Sequence, residues 1–160
     1  MAGVPMAKRF SGPAAERLFS HIRDRGAEFG LVFNRVTLLS NSRFALEASE
    51  FARDAGCYEV FHERMFRAYF TDLMDIGRLD VVCRVAEECG LDANDVRRAL
   101  QERRYATRLA EVREEGERSF VSGIPTFVVG GRHQIVGAQP LDIFTDLFRK
   151  LAQGEEVTSS

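Results

Sequence analysis

Residues 123–140 read Gly-Ile-Pro-Thr-Phe-Val-Val-Gly-Gly-Arg-His-Gln-Ile-Val-Gly-Ala-Gln-Pro, and they decide the fold. Gly123-Ile124-Pro125 is a turn signal, and Thr126-Phe127-Val128-Val129 is a short apolar run of β-branched and aromatic residues. Gly130-Gly131 is a two-residue hairpin signal, with Gln134-Ile135-Val136 as the returning strand. Gly137-Ala138-Gln139-Pro140 then opens an amphipathic helix whose inner face is Ile143, Phe144, Leu147, Phe148 and Leu151. Gly154 onward is a polar tail, and residues 153–160 are expected to be flexible.

Upstream, the period is helical. Ser11-Gly12-Pro13 opens a first helix that Gly26 closes. Met1–Phe10 shows no element, and Phe29–Leu39 is irregular or extended. Asn41-Ser42 caps a second helix that stops at Gly56, and a third covers Cys57–Phe70. The third helix carries Tyr58, Phe61, Met65, Phe66, Tyr69 and Phe70 as an aromatic stripe expected to be core. A fourth helix runs from Leu79 to Cys89, Asp92 and Asp95 open a fifth, and a sixth covers Tyr105–Phe120 with Leu109 and Val112 inward. The expected fold class is therefore α+β and mostly helical. It is a single domain over 1–160, with a helical part at 11–120 and the hairpin and final helix at 121–152.

Of the 160 residues, 45% are hydrophobic and 29% charged, the composition of a globular domain. The net charge is −2, and the 22 cations lie scattered among 24 acids. That distribution gives no basic stripe for nucleic acid. No run of about 18 apolar residues offers a membrane span. No secretory signal pattern follows Lys8-Arg9, and Cys57, Cys83 and Cys89 are too few for a disulfide scaffold, so a reducing, cytoplasmic setting is expected. Cys83 and Cys89 share one helix with about 9 Å of rise between them, too far to bridge. His21, His62 and His133 lie in separate elements and make no metal motif. No cofactor is expected.

The fragments Gly123–Val129 and Ile135–Pro140 resemble the closing half of DsbA-like thioredoxin-fold oxidoreductases. Asn41-Ser42, Phe61-His62, Ala68-Tyr69-Phe70, Asp75-Ile76-Gly77 and Gly90-Leu91-Asp92 are similar to the FrnE-type branch, which is related to 2-hydroxychromene-2-carboxylate isomerases and kappa-class glutathione transferases. The likeness covers Leu31 to Leu151. It implies a partial thioredoxin-like fold, in which a helical insertion precedes the closing hairpin and helix. It also implies a cis bond before Pro125, leaving the Ile124 backbone free to pair with a thiol- or disulfide-bearing peptide or with glutathione. The turn Gly137-Ala138-Gln139 precedes a helix whose free N–H groups favour an anion.

The family's nucleophile, Cys in Cys-x-x-Cys or Ser in the isomerase branch, follows an opening strand. Met1–Phe10 is too short to supply that strand–helix–strand unit, which needs about 30 residues. The chain is accordingly expected to be truncated relative to the family and inactive alone. Three functions compete: a partial oxidoreductase, a non-catalytic interaction module, and a glutathione-dependent isomerase or transferase. The strand Thr126–Val129 is expected to present an open edge and to drive self-association, as a dimer.

Overall fold

A computed structural model describes residues 3–119, 121 and 123–154. The expected residues 155–160 of the tail, and Phe120 at the end of the sixth helix, lie outside them. The chain packs as two compact units, Met1–Leu109 and Ala110–Ser160.

The first unit begins with β1 (Val4–Pro5) and a 3-10 turn, Met6–Lys8. Of the stretch Met1–Phe10, which shows no element in sequence, the described residues 3–10 thus hold a short strand and a turn. Val4 and Pro5 pair antiparallel with Leu39 and Leu38 of β2 (Leu38–Leu39), and Met6 N–H donates to the Thr37 carbonyl at 2.8 Å. Between them lies α1 (Gly12–Ala27), with Pro13 in its first turn. Gly26 does not stop this helix. It is buried inside the last turn, where an added Cβ would lie 2.5 Å from the Phe33 ring. The stop falls at Gly30, whose φ of +71° ends the turn in the left-handed region that glycine tolerates.

The core belongs to α2 (Arg43–Asp54), α3 (Tyr58–Phe70), α4 (Leu79–Glu88) and α5 (Ala93–Gln101). Ala48, Ala52, Phe61, Ala68, Val82, Val85, Ala86 and Val96 are fully buried. The small residues on α2 let its neighbours approach closely, and the larger apolar groups of α3 and α4 supply the volume. Asp92 caps α5, accepting from the backbone N–H groups of Asn94 at 2.8 Å and Asp95 at 3.0 Å. Asp75 organises the turn before α4, accepting from Ser40 Oγ at 2.6 Å and Gly77 N–H at 3.0 Å. The aromatic stripe of α3 is only partly core. Phe61 and Met65 are buried, but Phe66 is exposed.

Glu47 of α2 is 1% exposed; its Oε1 accepts from Arg43 Nη1 at 2.8 Å, and Oε2 has no partner among the described residues. Arg43 is half-exposed and lies over the Phe44 ring, so it stays solvated without Glu47. Replacing buried ion pairs by apolar groups of similar volume is neutral or stabilising by about 1–4 kcal/mol. Glu47→Met is therefore expected to leave stability unchanged or raised in urea unfolding. A clear loss would show that the carboxylate has a donor after all.

α6 (Ala106–Arg118) starts on α2. Tyr105 Oη donates to Asp54 at 3.0 Å, and Arg108 donates to Asp54 at 2.9 Å and Glu50 at 3.2 Å. Those bonds, Arg108 first and Tyr105 next, hold the Asp54 carboxyl below its ordinary value. Contrary to the sequence pattern, α6 buries no residue, and Val112 is exposed.

In the second unit, β3 (Thr126–Val129) pairs antiparallel with β4 (His133–Val136), with Thr126 opposite Val136 and Val129 opposite His133. The loop thus has three residues, Gly130 to Arg132, where the sequence suggests two. Gly130 and Gly131 both have positive φ, at +60° and +74°, in the left-handed region that glycine tolerates. Phe127 and Ile135 share one hairpin face, and Phe127 meets Phe144 of α7 (Leu141–Ala152) edge-to-face at 4.9 Å. The buried face of α7 is narrower than its periodicity suggests. Leu147 is buried, but Ile143 and Phe148 are exposed.

Candidate functional site

The two stretches singled out around the hairpin meet. Gly137 N–H donates to the Pro125 carbonyl at 2.7 Å, extending the β3–β4 pairing beyond Thr126 and Val136. Gly137 adopts φ +87°, which directs the chain out of β4 and into the turn before α7. Thr126 Oγ1 donates to the Gly123 carbonyl at 2.7 Å and fixes the other side of the loop. The Ile124–Pro125 peptide bond is cis, and Ile124 is 91% exposed. Ile124, Pro125, Ala138 and Gln139 therefore form one exposed corner around the half-buried Gly137.

The corner is not equally suited to every ligand. The Gln139 side chain folds back on its own chain, with Nε2 donating to the Val136 carbonyl at 2.9 Å. Asp142 occupies the first turn of α7, and its Oδ1 accepts from Ile143 N–H at 3.1 Å. A carboxylate already stands where the helix dipole would attract an anion. The corner is thus better matched to the backbone of an extended chain than to a free anionic group.

Other reactive groups lie in the helical unit. Cys83 is buried, and burial pushes its thiol up. Cys57 and Cys89 are partly exposed. Tyr58, His62, Phe66 and Phe70 follow one another along α3 with ring centroids 5.0, 4.7 and 5.8 Å apart. This ridge borders an open groove of about 400 Å³ lined by Glu59, Val60, His62, Glu63 and Phe66. The four-residue spacing of the rings was visible in the sequence, whereas the exposure of Phe66 was not. Among the described residues, no group of three or more His, Cys, Asp or Glu could hold a metal ion. No helix among them is long and apolar enough to cross a membrane.

Comparison with known proteins covers nearly the whole chain. The DSBA-like thioredoxin domain family matches residues 2–149, a range that begins well before Leu31. The YwbO protein of Bacillus subtilis is 31% identical over 133 residues, which are 82% of this chain and 62% of that protein. The chain therefore spans less than two thirds of that relative's length. The Na(+)/H(+) antiporter NhaA 3 of Salinispora tropica is 35% identical over 91 residues, 57% of this chain but only 13% of the antiporter. Among solved structures, a probable DsbA oxidoreductase from Streptomyces coelicolor matches 99% of this chain and 71% of its own, with a TM-score of 0.83 and 23% identity. That likeness is one of fold.

Proposed function

Because the chain belongs to the DsbA-like thioredoxin family, we propose that it forms the substrate-facing part of a thiol–disulfide oxidoreductase of the FrnE type. The observation that carries this reading is the exposed Ile124 beside Pro125, held in place by the Gly137–Pro125 bond at 2.7 Å. An extended peptide laid along this corner would exchange backbone hydrogen bonds with Ile124, in the manner of strand addition. Main-chain recognition suits an enzyme class that accepts many disulfide-bearing sequences. The three cysteines include no Cys-x-x-Cys pair. In this reading the attacking thiolate comes from outside these 160 residues. A reducing cytoplasmic setting, in which thiols stay reduced, is part of this reading.

Two measurements test the reading. The 160-residue chain is expected to give no catalytic turnover in dithiothreitol-driven insulin reduction, since none of its cysteines belongs to a Cys-x-x-Cys pair, the arrangement that combines an activated thiolate with a resolving thiol one helical turn away. Turnover lost on Cys57→Ala would place the nucleophile in the helical unit instead. In amide NMR, an extended cysteine peptide is expected to shift Ile124, Gly137, Ala138 and Gln139. Saturable shifts at these positions with glutathione but not with the peptide would favour the isomerase or transferase branch. Shifts confined to the helical unit with either ligand would remove the proposed corner.

A further inference from the structure

Two thiols remain unused by this reading, and they stand at adjoining helix ends. Cys57 flanks the N-terminus of α3, and Cys89 flanks the C-terminus of α4. The early part of α3 meets the end of α4. Arg64 Nε donates to Glu88 Oε2 at 2.6 Å, and Cys89 Sγ lies 3.9 Å from the Val60 carbonyl oxygen. Val60 is three residues beyond Cys57, about 4.5 Å of helical rise. Both cysteines pack against the same buried cluster, and both remain partly exposed.

Their backbones are held by hydrogen bonds. Cys57 N–H donates to the Ala52 carbonyl at 2.9 Å, and Cys89 N–H to the Ala86 carbonyl at 3.1 Å. Side-chain rotation is therefore the freedom left to bring the sulfurs together. Burial pushes the Cys89 thiol up, and the neighbouring Cys57 sulfur adds to the effect.

We infer that Cys57 and Cys89 form a redox pair, which closes into an intramolecular disulfide in the presence of a small disulfide such as oxidised glutathione. The Cys57 thiolate attacks one glutathione sulfur, the glutathione S–S bond breaks, and the departing thiolate takes up a proton. Cys89 then releases its proton to solvent and attacks the Cys57 sulfur, expelling the second glutathione, which is protonated as it leaves. Two protein thiols are oxidised to one disulfide, and one glutathione disulfide is reduced to two thiols. The bond staples the start of α3 to the end of α4. Cys83 is not a partner, because it is buried and lies about 9 Å of rise from Cys89 along α4.

The test is exposure of the full chain to oxidised glutathione, acid quenching, alkylation in denaturant and tryptic mass mapping. Fragments Asp54–Arg64 and Val85–Arg97 should emerge joined by a disulfide, with Leu79–Arg84 alkylated. The oxidised chain should also melt at a higher temperature, because the cross-link restricts the unfolded state. Cys57→Ser and Cys89→Ser should each lose the cross-link and retain one glutathione adduct, while Cys83→Ser should cross-link normally. Recovery of separate glutathione adducts on Cys57 and Cys89 in the unsubstituted chain, or a cross-link that includes Cys83, would overturn the assignment.

Discussion

Phe61→Ala is expected to destabilise the helical unit by about 3–5 kcal/mol, whereas Phe66→Ala, five residues along the same helix, should change stability by no more than about 1 kcal/mol. Phe61 is fully buried in α3, within a cluster that includes Ala45, Ala48, Ala52, Ala68 and Ala86. Alanine has no side-chain torsion with which to fill a vacated ring position. The cavity would therefore persist, and its cost adds to the lost transfer free energy. Phe66 is half-exposed and touches His62 and Phe70 along the ridge, so its removal bares helix surface without opening a void. Against a typical total stability of about 5–15 kcal/mol, the first change removes a large share. Urea titrations followed by circular dichroism give both values. Equal losses at the two positions would mean that burial at Phe61 does not govern the stability of the unit.

The same pair shows how far the sequence could be read. Phe61 and Phe66 both lie on a stripe with helical spacing, and periodicity finds the helix without ranking its two edges. Helix ends were legible where a cap is chemical, as at Asp92, whose carboxylate binds two free N–H groups. They were misread at Gly26, because a glycine admitted for the close approach of Phe33 looks in sequence like one that ends a helix. β1 was invisible: its partner lies more than thirty residues away, and two residues carry no alternation. The corner at Ile124 and Gly137 was legible as two separate motifs. That one donates a backbone hydrogen bond to the other follows from strand register, which the turn length alone did not give. The Cys57–Cys89 approach is likewise tertiary, arising from how α3 packs on α4.

The second unit should self-associate through β3, and the expected product is a two-fold dimer with β3 of one copy antiparallel to β3 of the other. Among the described residues β3 pairs only with β4, so one row of its backbone N–H and C=O groups faces no strand. A two-stranded hairpin is marginal by itself and gains from a third or fourth strand. Thr126-Phe127-Val128-Val129 carries no charge, proline or bulge to deter such pairing. Phe127 is 42% exposed and Val128 50%, so apolar area is buried as the strands join. A two-fold axis through the paired strands leaves no further β3 edge open, which limits growth at the dimer. Light scattering of the 160-residue chain at micromolar concentration should report twice the monomer mass. Val128→Lys should restore the monomer without altering the helical circular dichroism, because the added charge lies on an already exposed position. A monomeric unsubstituted chain under these conditions would mean that the edge is already covered, and the proposed interface would be withdrawn.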